Sequence, residues 1–125
     1  MKLGNKNKFV KGNIKDNSVK GYFVGRFLDD KGFPLQETDE VEIAWKKLGP
    51  EDSYVEGHYH KGGVEINIVI DGSCSMVVNK IKVELVRGEF LIVYPESILS
   101  NFEVKESVEM IVVKAPSVFD DKFSV

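Results

Sequence analysis

Residues 58–72 read HYHKGGVEINIVIDG, and the fold turns on this stretch. Side chains at i and i+2 of a strand point to the same side, so His58 and His60 face one way and Tyr59 the other. They are the chain's two histidines. Lys61-Gly62-Gly63 then turns the chain, helped by glycine's freedom at positive φ. A tight return into a strand brings the Glu65 carboxylate towards the two imidazoles. Two histidines and one carboxylate, with positions left open, make the donor set of a catalytic zinc or non-haem iron site.

The strand that follows, Val64–Ile70, alternates strictly. Val64, Ile66, Ile68 and Ile70 share one face; Glu65, Asn67 and Val69 share the other. If the second face looks into a barrel with a polar site, the first is wholly apolar and needs a cover. A second copy of the chain is the preferred cover, so a homodimer is expected. A clean monomer on sedimentation would remove that expectation.

On either side the chain is a series of short β-rich runs between turns. Gly21–Leu28 and Val41–Leu48 come before the histidines. In the latter, Val41, Ile43 and Trp45 fall on one face and Glu42, Ala44 and Lys46 on the other. The apolar face, Trp45 included, is expected to pack in the core. After Ile70 come a turn at Asp71-Gly72, Ser73–Val78, a turn at Asn79-Lys80, and Ile81–Val86. Glu89–Tyr94, Asn101–Val104 and Val108–Ala115 complete the set. No segment sustains a period of 3.6, so the fold class is all-β, a jelly-roll barrel or sandwich.

At this point the sequence resembles the cupin superfamily. His58, His60, Glu65 and Gly72 match the first cupin motif: His-x-His, three or four residues, Glu, six residues, Gly. The second motif runs Gly, a five-residue strand, then Pro-x-Gly-x-x-His. Here Gly88 and Glu89–Val93 match, and Pro95 comes one place late. Glu96 or Ser97 stands at the second glycine, and Leu99 or Ser100 at the last histidine. The likeness spans about residues 40–115. It implies a small RmlC-like barrel with a ligand pocket inside and frequent dimers.

The resemblance further implies a divalent metal (iron, zinc, nickel or manganese) on His58, His60 and Glu65. Asn67, Tyr94, Ser100 and Asn101 are candidate ligand-binding residues. The expected function is a metal-binding cupin acting on a sugar or other small polar molecule. The alternative is a non-catalytic binding cupin whose site is degenerate or metal-free. Tyr59, facing away from the histidines, is expected outside the pocket.

Length and composition suit one soluble domain: 125 residues, 42% hydrophobic and 30% charged, with a net charge of −3. That mild acidity argues against nucleic acid or a membrane surface as partner. Lys2, Lys6, Lys8, Lys11, Lys15 and Lys20 face only Asp16 in residues 1–20. This segment reads as a solvated basic arm, with 21–125 as a single barrel domain. One cysteine, Cys74, excludes an internal disulfide and reads as buried and inert. With no secretory leader apparent, a cytoplasmic location is expected.

Overall fold

The computed structural model describes residues 9–117 and 121–125. Nine strands are present among them: β1 (Tyr22–Val24), β2 (Glu42–Leu48), β3 (His58–Tyr59), β4 (Val64–Val78), β5 (Ile81–Val86), β6 (Phe90–Val93), β7 (Leu99–Glu103), β8 (Val108–Ala115) and β9 (Phe123–Ser124). All strand pairings are antiparallel. The first half of β4 lies between β8 and β6, and β8 continues to β2 and β1. The second half lies between β5 and β7, and β7 continues through β3 to β9. β4 therefore belongs to both walls of an antiparallel jelly-roll barrel.

The expected turn at Asp71-Gly72 is not a turn. β4 runs unbroken through it, with Asp71 opposite Glu109 and Gly72 opposite Val108. The register slips between Val69 and Asp71, and this bulge carries the strand from one wall to the other. Turn-forming residues here bend a strand that has partners to pair with on both sides of the bend. The Asn79-Lys80 turn is as expected. Both residues take positive φ, 48° and 71°, the conformation a two-residue hairpin needs between Val78 and Ile81. The Gly21–Leu28 run narrows to a three-residue strand. It ends at Gly25 (φ 156°), and a 3₁₀ turn starts at Asp29.

The apolar core is built from Val69, Cys74, Met76, Leu85, Val93, Leu99, Phe102, Val104, Val108 and Met110. Above it, the inner face turns polar. Glu42 and Glu65 both lie opposite Lys114, and Asn67 lies opposite Val112, all on cavity-facing positions of the ladder. The alternation in β2 is thus the reverse of the expected one. Glu42 and Ala44 are buried and Lys46 faces the interior, while Trp45 is 38% exposed outside. Trp45 Nε1 donates to Glu109 Oε2 on that outer surface at 2.7 Å. The expectation fails because it equates apolar with inward, and a barrel wall around a polar site does the opposite. β4 behaves likewise. Glu65, Asn67 and Val69 are buried, and Val64, Ile66, Ile68 and Ile70 look outward. Phe90 and Ile92, exposed by 64% and 39%, extend that outer apolar face.

Of the basic segment expected over residues 1–20, Lys2, Lys6 and Lys8 lie outside the described residues. The part from Asn13 to Asn17 forms a turn, and Gln36 Nε2 donates to the Asn17 and Phe23 carbonyls at 2.7 and 2.8 Å. No helix among the described residues is long and apolar enough to cross a membrane.

Candidate metal centre

β3 is only two residues long, yet it is held on both edges. His58 is opposite Leu99 of β7 on one side and Ser124 of β9 on the other. Tyr59 points away from the cavity, as its place between the histidines requires, and stacks on Phe123 with ring centroids 5.4 Å apart. The Lys61-Gly62-Gly63 turn is closed by the Asp121 carboxylate. It accepts from the Lys61 N–H at 2.9 Å and the Gly62 N–H at 3.0 Å. This cap returns the chain into β4 with Glu65 facing the histidines. The Cβ of any other residue at Gly63 would come within 3.0 Å of the Ala115 carbonyl oxygen.

His58, His60 and Glu65 are all buried, and one donor atom from each lies within 4.8 Å of the others. A single ion can therefore draw all three into its coordination sphere. The hydrogen bonding of His60 sharpens the point. Its Nδ1 bonds to the Asp121 backbone carbonyl. A carbonyl only accepts, so Nδ1 carries the proton and neutral His60 presents a bare lone pair at Nε2. That lone pair stands 3.3 Å from Glu65 Oε1 and makes no hydrogen bond. Two acceptors facing each other in a buried site repel unless a cation lies between them. A metal ion is such a cation, and an added proton on His60 is the other. The Asp121 carbonyl plays the part usual for an outer partner of a metal-binding histidine: it sets the tautomer and fixes the ring.

The surrounding groups keep Glu65 and His58 in their metal-binding protonation states. Burial alone would raise the Glu65 carboxyl pKa, but His60 when its Nε2 carries a proton, the Asn67 hydrogen bond and the nearby Lys114 charge outweigh it and hold it below the ordinary value. Asn67 Nδ2 donates to Glu65 Oε2 at 3.0 Å. Burial, and after it the Lys122 charge, depresses His58 to about 4, so it is neutral at pH 7.

This shift predicts a pH dependence for the metal-free protein. Between pH 6.5 and about 4 the unfolded chain protonates His58 and the folded chain does not. Stability therefore falls as pH falls through that window, by at most about 3 kcal/mol from this group. Urea denaturation in EDTA at pH 7 and pH 4.5 checks it. His58→Gln should show a shallower loss than wild type, and equal losses would contradict the assignment.

Asn67 lines the cavity beside Glu65. The other candidate ligand-binding residues lie elsewhere. Tyr94 is 63% exposed beyond the end of β6. Asn101 takes a φ of 52° and lines a separate cleft with Ser53 and Tyr54. Ser100 is half-buried, and neighbouring strand positions face opposite ways, so it turns away where Leu99 turns in. Leu99 lines the cavity next to His58. Tyr22, Lys46, Tyr54, Lys114, Lys122 and Asp121 also surround the site and were not anticipated. All but Tyr54, four residues before His58, come from distant segments, and none carries a spacing signal to mark it. Cys74 is buried, as expected, and burial pushes its thiol up to about 11.

No protein-family model matches the chain, and no curated protein matches it in sequence. Solved structures do match in fold. A cupin protein from Bacteroides fragilis aligns with a TM-score of 0.56 at 18% identity, covering 64% of this chain and 69% of that one. The chain has the cupin fold. A Klebsiella pneumoniae protein with a double-stranded β-helix domain aligns at 0.60 and 20% identity, covering 70% and 76%. The nucleoside dehydratase Pac13, from Streptomyces, aligns at 0.59 and 17%, covering 70% of each chain.

Within the cupin pattern, two observations fix the register of the second motif. Counted from Gly88, the motif's second glycine falls on residue 96 and its histidine on residue 99. Glu96 indeed has a φ of 69°, the left-handed conformation that glycine adopts most easily. Its N–H donates to the His60 carbonyl at 2.6 Å, tying this turn to the site. The cavity-facing position of the cupin histidine is therefore filled by Leu99.

Proposed function

We propose that the protein is a small metal-dependent cupin in which His58, His60 and Glu65 hold a divalent ion at the inner end of the cavity. The observation that carries this is the pair of facing acceptors, His60 Nε2 and Glu65 Oε1, 3.3 Å apart and buried. Three protein donors suffice for catalytic zinc or for a facial triad, with remaining positions open to water or substrate. When bound, the ion would supply Lewis acidity to a small polar molecule. The chain's own residues would orient that molecule. Tyr22 and Tyr54 line the cavity, and burial pushes both phenols up to about 12, so they act as neutral hydrogen-bond donors. An epimerase of the kind that needs a further histidine as base is disfavoured, because both histidines are taken by the ion.

The test is elemental analysis of protein purified without a metal-affinity tag, beside His58→Ala, His60→Ala. The expected result is near-stoichiometric iron, zinc, nickel or manganese in wild type and none in the double variant. A folded wild type that neither carries nor takes up any of these metals would reject the reading. A second reading, a binding cupin without turnover, draws its support from Leu99 at the position of the fourth ligand. It predicts a small molecule retained through purification and released only on denaturation.

A further inference from the structure

The cavity beside Glu65 has a volume of about 280 Å³, at the small end of the ~300–1,000 Å³ range of small-molecule sites. Three lysines, Lys46, Lys114 and Lys122, line it. Four carboxylates lie nearby, but each is engaged. Glu42 accepts from Ser117 Oγ at 3.0 Å and stands 3.9 Å from Lys114 Nζ. Asp52 accepts from the Gly49 N–H at 2.9 Å. Asp121 caps the Lys61 and Gly62 amides, and Glu65 is bonded by Asn67. Among the described residues, neither Lys46 nor Lys122 makes an ion pair. The Lys46 ammonium instead sits 5.0 Å over the ring of Tyr22.

We propose that this cavity takes a small anion, a carboxylate or phosphate, held between Lys46 and Lys122 with the Tyr22 and Tyr54 hydroxyls as further donors. The inference rests on the metal-centre reading for what the ligand meets at its inner end, but not for its charge. A neutral sugar would leave the half-buried Lys46 ammonium with no carboxylate in direct contact, which is less favourable than an anion at that place, and the exposed Lys122 adds a second positive charge at the cavity. An anion removes that penalty and gains charge-assisted hydrogen bonds. The crowding of positive charge fits this. Lys46 has a pKa below the ordinary lysine value, chiefly through burial and then through Lys114, with Lys122 adding to it and Glu65 and Asp52 opposing.

The test is calorimetric titration of the full chain, after EDTA treatment, with inorganic phosphate and with oxalate, using glycerol as the neutral probe. Saturable binding of one anion in the millimolar range or tighter is expected, with none for glycerol. Lys46→Gln and Lys122→Gln should each weaken it about tenfold, the scale of one charged hydrogen bond. Lys82→Gln, on the exposed β5, should leave it unchanged, and thermal melts confirm that the variants fold. The relative affinities of phosphate and oxalate tell which anion class the site prefers. Failure of both anions to bind, or binding equal in wild type and both cavity variants, overturns the inference. Because the titration is run without metal, its failure is separable from that of the metal centre, which the elemental analysis reads alone.

Discussion

Gly72→Ala is expected to leave the protein largely unfolded at 37 °C, and Gly88→Ala to leave it nearly intact. Both glycines belong to the cupin motifs and both have positive φ, 76° and 87°. Left-handed backbone costs an alanine roughly 1–2 kcal/mol at either position. The surroundings decide the rest. A Cβ at Gly72 would stand 2.2 Å from the Ser107 carbonyl oxygen and 3.1 Å from the Val108 Cα, whereas nothing lies within 4 Å of one at Gly88. The obstacle at Gly72 is backbone, so relief requires β8 to move off β4 where the bulge sends β4 into the second wall. That disrupts the ladder both walls share, for a total of about 4 kcal/mol or more, a large part of a small domain's stability. Urea midpoints of the two variants check the contrast. Similar midpoints would show that the close approach at Gly72 is not what makes that glycine necessary.

Leu99→His is expected to tighten zinc or nickel binding by about tenfold or more, the gain from completing a four-donor protein set. Leu99 lies opposite His58 across the β3–β7 ladder and is buried on the cavity side. The ring would enter where the cupin pattern places its last histidine. Ser100→His, one residue along and facing away, should leave metal affinity unchanged. Competition against a chromophoric chelator measures both. Equal effects of the two substitutions would mean that β7 does not present residue 99 to the ion. The Leu99 variant loses some core packing, because Leu99 also touches the apolar cluster. The affinity measurement should therefore be made at a temperature where both variants are folded.

The parts of the site legible in the sequence are local ones. His58, His60 and Glu65 announce themselves because strand alternation and one glycine turn settle their geometry within eight residues. Gly72 was legible as a motif position but not as a bend inside a continuous strand. Its conformation depends on β8, which pairs with it from more than thirty residues away. Choosing Leu99 over Ser100 needed the register of β7, and this rests on the Glu96 turn and its bond to His60. Asp121, Lys46 and Lys122 had no local signature, since what matters about each is a contact across the barrel. The inward face of β2 was misread for a related reason. Burial of Glu42 is tolerable only because Ser117 and Lys114 bond it, and neither partner is adjacent in sequence.

The compact spacing of the three donors also bears on how a bound ion would couple to folding. Because His58, His60 and Glu65 fall within eight residues, an unfolded chain still offers them together to a metal. The elements that orient them, Leu99, Asp121 and Ser124, are supplied from far along the chain. An ion that also binds the unfolded chain stabilises the native state only by the ratio of its two affinities. Metal should then raise the melting temperature by less than its affinity for the folded protein alone would give. A chelator should strip the ion and leave the barrel standing, unlike a zinc finger, whose fold exists only with its metal.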